Sequence, residues 1–262
     1  MSIVLNEKEW ILEKFRACEL GDHPLETLGR AARYYRQVDG YSKKETVAML
    51  ERFLVQCDPK ANLVSWSHAL ERVVKNADKR KLVEIDGIYI TEKELEAVGA
   101  LGSMAMQRLG FTLLCLAKYW NAISSTNECW VNTPDKDIMQ MANIRTSIKR
   151  QCDMFHELRG VGFVQFSKRV DNLNVRVLAI SDDAPALYVS DFRSLGNQYM
   201  MFRGEPYFHC LECGEVVRRN STRQKYCHTC SCEIRTRQSI ESVRRRRKAL
   251  ALARKSAEIE VV

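Results

Sequence analysis

The chain has 262 residues, a formal net charge of +8 and a hydrophobic content of 45%. This length suffices for one large domain or two small ones, and the apolar fraction suffices for a buried core. The longest strongly apolar run, residues 111–117, is far too short to cross a bilayer, which excludes a membrane-spanning protein. The first nine residues lack the basic start and apolar stretch of a signal peptide, so we expect a cytoplasmic location.

The positive charge is concentrated in the last quarter of the chain. Residues 201–262 contain 14 of the 41 lysines and arginines but only 7 of the 33 acidic residues. They therefore carry +7 of the net charge, and residues 1–200 are nearly neutral. A basic cluster attracts a polyanion by neutralising phosphates and releasing counterions, which favours nucleic-acid binding; the alternative is a solvated helix without a ligand.

The N-terminal region is predicted to begin with helices. Asn6 can cap the first of them, and Ser42 begins a capping box that predicts a further helix start. Another helix is expected to start at Ser65 or Ser67, because apolar residues recur after these positions at helical spacing.

The helices are expected to be followed by a short β-hairpin. Residues 82–90 alternate between apolar and polar side chains around Asp86-Gly87, a dipeptide typical of two-residue turns. Residues 1–90 together are predicted to be a helical N-terminal region. Its expected role is contact with a second copy of the chain or with a replication or transcription protein.

Residues 91–185 are predicted to form a winged-helix domain, with the order helix, helix, helix, strand, turn, strand. Thr91 opens a capping box and a helical region that extends to about Asn121. The second helix is expected to start at Thr133-Pro134-Asp135, with the proline at the first helical position. The third is expected over 146–159. In this arrangement the third helix enters the major groove, and the wing follows the backbone or minor groove.

The wing is predicted from two segments after the third helix. Residues 163–166 and 175–180 have the composition of strands and are expected to pair across the loop between them. Trp130 and Val131 form a further short strand in this prediction.

One face of the third helix is predicted to be buried and the other to contact DNA. The row expected to face the core comprises Ile148, Cys152, Phe155 and Leu158. The residues expected to contact DNA lie at the start of the helix and in the wing: Arg145, Thr146, Ser147, Lys149, Arg150, Lys168 and Arg169. Asp153 and Glu157 oppose this interpretation modestly, and a three-helix core used only for protein contacts is the alternative.

Three segments of this region share their pattern with a known family. Residues 135–143 precede a Thr/Ser pair and basic residues at 146–150, and a Leu-x-x-x-Gly-hydrophobic step follows at 158–164. In these features the region resembles the winged-helix domains of replisome-organiser and replication-initiation proteins of phages and plasmids. Transcription regulators share the pattern. The resemblance implies sequence-specific binding of double-stranded DNA, for replication initiation or transcription control, in a bacterial cell or phage-infected host.

The last part of the chain has the ligand spacing of a zinc site. Cys210-x2-Cys213 and Cys227-x2-Cys230 are separated by 13 residues, which predicts one structural Zn²⁺ bound by four thiolates. Gly214 supplies the open backbone that such a turn requires. Disulfides or free thiols are the alternative, and a reducing cytosol disfavours disulfides. Neighbouring side chains that could replace a ligand are Cys232, His209 and His228.

Residues 233–262 are predicted to form a basic helical tail, because they contain no glycine or proline. Mutual repulsion of the cations is expected to fray this helix until a polyanion binds. Together with the preceding knuckle at 207–232, the tail resembles those of small phage-encoded DNA-binding proteins. The candidate DNA contacts in both segments are Arg218, Arg219, Arg223, Lys225, Arg235, Arg237, Arg244, Arg245, Arg246, Arg247 and Lys248.

The predicted fold is mainly α with small β, and residues 186–206 are interpreted as a linker between the winged helix and the zinc knuckle. No nucleotide-binding, zinc-protease or serine-hydrolase motif is present, so we expect a DNA-binding protein and not an enzyme. A second hypothesis is a zinc-containing protein-interaction or inhibitor factor whose basic tail binds RNA or an acidic partner. A third and weaker one is an enzyme with its active site in residues 1–100.

Overall fold

A computed structural model of the protein describes residues 3–124, 127–168 and 174–259, with side chains as far as residue 250. Helices predominate in this part of the chain, and the strands pair only in sheets of two or three. The chain is therefore mainly α with small β, as predicted. None of the described helices combines the length and the apolar character that a bilayer span requires.

Four helices that share one apolar core form the N-terminal part. They are α1 (Glu7–Ala17), α2 (Pro24–Gln37), α3 (Lys43–Cys57) and α4 (Leu63–Ala77). Ile11, Leu28, Leu50 and Leu70 each come from a different helix and are completely buried in this core. Burial of one apolar stripe from each helix is the main source of stability for helices of this length.

Two of the predicted helix starts are confirmed and one is wrong. The side chain of Asn6 accepts a hydrogen bond at 3.0 Å from the N–H three residues on, and Ser42 takes part in the expected capping box. The fourth helix starts earlier than predicted, because Asn62 caps it through a 3.0 Å bond to the N–H two residues on. The hydroxyls of Ser65 and Ser67 instead donate to backbone carbonyls inside the helix.

A buried carboxylate joins α1 to its neighbours. Glu7 is only 3% exposed, and its Oε1 lies 3.2 Å from Arg30 Nε, 2.6 Å from Arg33 Nη2 and 3.3 Å from Arg80 Nη2. Its Oε2 accepts a 3.3 Å hydrogen bond from the Val83 N–H. Burial raises the pKa of Glu7, but the attraction of Arg33 and Arg80 outweighs it, and the pKa lies below its ordinary value. Glu7 therefore connects α1, α2 and the segment after α4.

The remainder of the first 195 residues combines short strands with four helices. In chain order these elements are β1 (Ile88–Thr91), α5 (Glu92–Gly99), α6 (Met104–Ile123), β2 (Trp130–Val131), α7 (Asp135–Met141), α8 (Ile148–Gly160), β3 (Val164–Phe166), β4 (Val175–Val177) and β5 (Pro185–Val189). The sheet order is β2-β4-β3, and β3 and β4 are antiparallel, with Phe166 opposite Val175. The predicted pairing of the two strands after α8 is thus confirmed, and β2 adds a third strand.

The hairpin predicted for residues 82–90 is wrong. Strand β1 pairs instead with β5, which lies almost 100 residues later, and Tyr89 is opposite Tyr188. Gly87 does not adopt a positive φ, which a two-residue hairpin turn would require. It makes room for a side chain, because a Cβ at this position would lie 2.5 Å from the Tyr188 ring. The backbone of Glu84 forms an isolated β-bridge with Asn6 and is not part of a described strand.

The helices of the predicted winged-helix region differ from expectation at their ends. The capping box at Thr91 is confirmed, but the long helical region is interrupted between α5 and α6. Pro134 is the residue before α7, not its first helical residue. Helix α8 starts at Ile148, later than expected, because the hydroxyl of Ser147 caps it by accepting from the Arg150 N–H at 3.3 Å.

The buried row predicted for α8 is half wrong. Phe155 and Leu158 are buried as expected, together with Met154, but Cys152 is exposed and Ile148 is 79% exposed. All three buried residues lie in the second half of the helix, so the first turns have no core against which to pack. Apolar spacing along the helix does not reveal where its packing partners end.

The chain divides into two compact units, Met1–Leu195 and Gly196–Val262. The predicted boundary after residue 90 falls inside β1, within the first unit. The segment interpreted as a linker, 186–206, contains most of β5 and a helix, α9 (Leu195–Phe202). These residues are ordered by strand pairing and by helix formation, which composition alone did not indicate.

The second unit contains a hairpin and a long helix. The hairpin pairs β6 (Tyr207–His209) with β7 (Val216–Arg218), and the helix is α10 (His228–Ile259). The predicted helical tail lies within this helix, which begins at His228, before the predicted start of the tail at residue 233. Every described side chain from Arg235 to Leu250 is exposed.

Candidate metal centre and nucleic-acid interface

The four predicted zinc ligands come together in the second unit. Cys210 and Cys213 lie in the turn between β6 and β7, and Cys227 and Cys230 lie at the start of α10. Their four sulfurs are all within 4.8 Å of one another, and the Cys213 and Cys227 sulfurs are 3.9 Å apart. Four sulfurs at about 2.3 Å from Zn²⁺ form a tetrahedron with edges of about 3.8 Å. The donor set and its spacing are therefore compatible with one tetrahedral Zn²⁺.

Short-range hydrogen bonds shape the first half of this site. Gly214 adopts a φ of +73°, as expected for its place in the knuckle, and its N–H donates to the Cys210 carbonyl at 2.9 Å. The Cys210 N–H donates in turn to the carbonyl of Glu215 at 2.9 Å. A side chain at position 214 would disfavour the left-handed backbone. The turn thereby directs the first two sulfurs to the same point.

Backbone donors stabilise negative charge on the sulfurs. The Cys227 N–H donates to Cys210 Sγ at 3.2 Å, and the Cys230 N–H donates to Cys227 Sγ at 3.4 Å. Burial raises the pKa of Cys210, but backbone donors from Cys213, Cys227 and Glu212 outweigh it and lower the pKa to about 6.

Two of the other sulfurs are harder to ionise. The hydrogen bond that the Cys230 thiol donates to Cys227 raises the pKa of Cys230, and burial raises that of Cys213. Without a bound cation, the four clustered thiols therefore do not all lose their protons. A divalent cation would supply the charge that makes four thiolates stable together.

The three alternative ligands occupy other positions. His209 Nδ1 lies 3.0 Å from the Gly214 carbonyl oxygen, so this ring supports the knuckle. Cys232 is exposed, with its sulfur 3.9 Å from His228 Nε2 on the first turns of α10. The four cysteines form the metal-compatible cluster of the described residues, and none of the described cysteines forms a disulfide.

The candidate DNA contacts at the start of α8 are all on the surface. Arg145, Thr146 and Lys149 are exposed, whereas the Ser147 hydroxyl is engaged as the helix cap. Arg150 is exposed and forms an ion pair with Glu157, two turns further along the helix. The segment 145–150 thus presents three cations to solvent, one of which has an acidic partner.

Two contacts with an aromatic ring connect α8 to β3. The Arg159 guanidinium lies 5.3 Å from the centre of the Phe166 ring, and the His156 ring lies 5.1 Å from it in an edge-on arrangement. Neither Arg159 nor His156 was among the predicted DNA contacts, although residues 158–164 carry part of the family resemblance. The contact of Arg159 with an aromatic ring was predictable only from Phe166, seven positions later. Of the predicted wing cations, Lys168 is exposed and Arg169 lies outside the described residues.

The candidate cations of the second unit are exposed, but some have defined contacts. Arg219 lies 5.1 Å above the Phe208 ring, and Arg237 contacts Glu212 at 2.6 Å. Because Glu212 lies between Cys210 and Cys213, Arg237 ties α10 to the cysteine cluster. Arg245 lies 3.3 Å from Glu241, one helical turn before it. The other candidate cations of this unit are exposed as well: Arg218, Arg223, Lys225, Arg235, Arg244, Arg246, Arg247 and Lys248.

No family model matches the chain, and neither a curated protein nor a solved structure is similar enough to it to count as a match. Its function is therefore inferred from its own side chains and their arrangement.

Proposed function

We propose that this chain is a sequence-specific double-stranded DNA-binding protein, used in phage or prophage replication initiation or transcription control. Residues 91–185 act as a winged helix, with α8 in the major groove and the β3–β4 hairpin as the wing. The four cysteines hold one structural Zn²⁺, and α10 binds phosphates. The protein works in the cytoplasm of a bacterial cell or phage-infected host.

The observation that carries this proposal is the exposed start of α8. Lys149 and Arg150 of the first turn and Arg145 just before the helix are exposed, whereas the buried residues Met154, Phe155 and Leu158 all lie further along. An exposed helix start that carries cations suits insertion into a groove lined by phosphates. The antiparallel pairing of β3 with β4 next to this helix further supports it.

Arg150 gives the most direct test of base reading. Arg150→Ala is expected to weaken binding to a preferred duplex, obtained by selection from a random library, by about five- to a hundredfold. Binding to a scrambled duplex should weaken much less. Glu157→Gln should have the opposite effect and strengthen binding, because it removes the carboxylate that competes with DNA for Arg150. Fluorescence anisotropy titrations on both duplexes measure the two effects.

Arg52→Ala is the matched control, since it removes an exposed cation from α3. An equal loss of affinity on both duplexes would mean that Arg150 binds a phosphate. No loss on either would remove α8 from the interface.

The tail is expected to contribute affinity without site preference. Replacing Arg244–Arg247 by glutamine should reduce the log–log salt dependence of binding by roughly 0.9 for each phosphate that the variant no longer neutralises. Preference for the selected site over a scrambled one should persist, because it depends on α8. The control removes four exposed cations from the first 80 residues by replacing Lys43, Lys44, Lys60 and Lys79 with glutamine. If the tail variant keeps its salt dependence but loses its preferred site, the assigned roles are reversed.

A second candidate function is supported by the rest of the α8 surface. Asp153 and Glu157 are exposed on the same helix, and Cys152 and Val161 are exposed apolar residues. Mixed charge with apolar side chains is typical of a protein-binding surface. In this case the chain is an interaction or inhibitor factor, and its tail binds RNA or an acidic partner. Weak binding to every duplex at physiological salt, with no selected sequence, would favour it.

A further inference from the structure

Ile148 occupies an unusual position for an isoleucine. It is the first residue of α8, and 79% of it is exposed to solvent. Its apolar spacing predicted a core position, but Met154 is the first residue of α8 that is buried in the core. Scattered apolar residues are normal on protein surfaces, so exposure alone indicates nothing. The surroundings of Ile148 are what distinguish it.

Those surroundings are polar and positively charged. Arg145 and Thr146 precede Ile148, and Lys149 and Arg150 follow it directly; all four are exposed. The nearest carboxylates along the helix are Asp153 and Glu157, one turn or more further on. A ligand that covers Ile148 must therefore be anionic and must also present an apolar group close to its charges.

Double-stranded DNA meets both requirements in its major groove. Its phosphates match the cations, and the 5-methyl group of thymine is the apolar group on the base edges there. Thymine is the only one of the four bases that carries a methyl group at this edge. A membrane surface would supply the charge but no apolar group at a defined position, whereas an acidic protein surface with aliphatic side chains would supply both. The deoxyuracil substitution described below separates DNA from such a protein.

We infer that Ile148 contacts a thymine methyl group and so selects a thymine at one position of the target site. This inference rests on the proposed DNA-binding function and deepens it. Arg145, Lys149 and Arg150 place the helix end in the groove, and Ile148 then excludes water from the methyl group.

The test compares thymine with deoxyuracil, which lacks only the methyl group. In duplexes carrying the selected site, each thymine is replaced in turn by deoxyuracil. For the unmodified protein, one replacement should weaken binding about fourfold, the affinity equivalent of one buried methyl group. Ile148→Ala should bind the thymine and deoxyuracil versions equally, and Ile148→Val should retain part of the difference. Val161→Ala, an exposed apolar residue at the other end of the α8 region, should leave it unchanged.

Each outcome bears on one of the two proposals. If the unmodified protein selects no sequence, the proposed function fails. If it selects a site but no deoxyuracil replacement matters, or the site contains no thymine, the inference about Ile148 is overturned while the function stands. Persistence of the fourfold difference in Ile148→Ala also overturns it. Because the side chain is exposed, the variants should keep the melting temperature of the unmodified protein, and that measurement excludes misfolding.

Discussion

Replacing Cys213 by serine is expected to abolish stoichiometric zinc binding and to unfold residues 207–232. Only five residues of this segment are buried, Phe208, Val216 and the ligands Cys210, Cys227 and Cys230. Two apolar side chains cannot compensate for the conformational entropy of about 26 ordered residues. In modules of this size, metal binding supplies on the order of 10 kcal/mol of folding free energy. Removing the metal with a chelator should have the same effect.

The four tryptophans make the measurement specific. Trp10, Trp66, Trp120 and Trp130 all lie in the first unit, so their fluorescence reports on that unit alone. Loss of zinc should leave their emission maximum unchanged, while limited proteolysis begins to cut within residues 207–232. Metal analysis of freshly purified protein should give one zinc per chain. Cobalt substitution should produce the visible absorption of a tetrahedral thiolate site.

Cys232→Ser is the matched control for the zinc experiment. It changes a cysteine two residues beyond the last ligand, and this side chain is exposed and outside the cluster. The variant should retain its zinc and its resistance to protease. Native protein without metal would contradict the site, and zinc loss in Cys232→Ser would mean that the ligand set is different.

Glu7→Gln is expected to destabilise the first unit by about 3–5 kcal/mol. The substitution keeps the shape of the side chain but removes the charge that Arg33 and Arg30 share in the core. Arg30 keeps Glu26 at 2.8 Å, whereas Arg33 is left in a buried position without its carboxylate. A loss of this size is a large part of the stability of an ordinary domain.

Urea unfolding followed by tryptophan fluorescence measures this loss, since Trp10 lies 4.8 Å from the Arg30 guanidinium within the same group of residues. Glu19→Gln is the control, because the Glu19 side chain is exposed in its pair with Lys14, and it should change stability by less than about 0.5 kcal/mol. Adding Arg33→Leu to Glu7→Gln should recover part of the loss. A destabilisation as small as that of Glu19→Gln would show that the pairing contributes little.

The same substitution should change the response to acid. The pKa of Glu7 is lower in the folded protein than its ordinary value of 4.5. Its stabilising contribution is therefore complete above the unfolded pKa and is lost as the pH falls through the folded value. Glu7→Gln removes this contribution, so stability should fall less steeply than in the unmodified protein as the pH drops below about 4.5.

Features that depend on neighbouring residues were predictable from the sequence. The capping boxes at Ser42 and Thr91 were identified correctly because they require only a hydroxyl and a carboxylate three residues apart. The cysteine cluster was identified because two CxxC turns can be read from spacing alone. In each case the atoms that interact are brought together by one or two turns of backbone.

Features that depend on distant surfaces were not predictable. The strand at 88–91 looked like half of a hairpin, yet its partner is β5, almost 100 residues later. Ile148 had the spacing of a core residue, yet the buried residues of α8 begin only at Met154, after its first turn. Glu7 was an ordinary residue in the first turn of a helix, yet it pairs with three arginines. Local spacing specifies which side of an element is apolar, but burial is decided by the elements that cover it, and only the tertiary structure determines which those are.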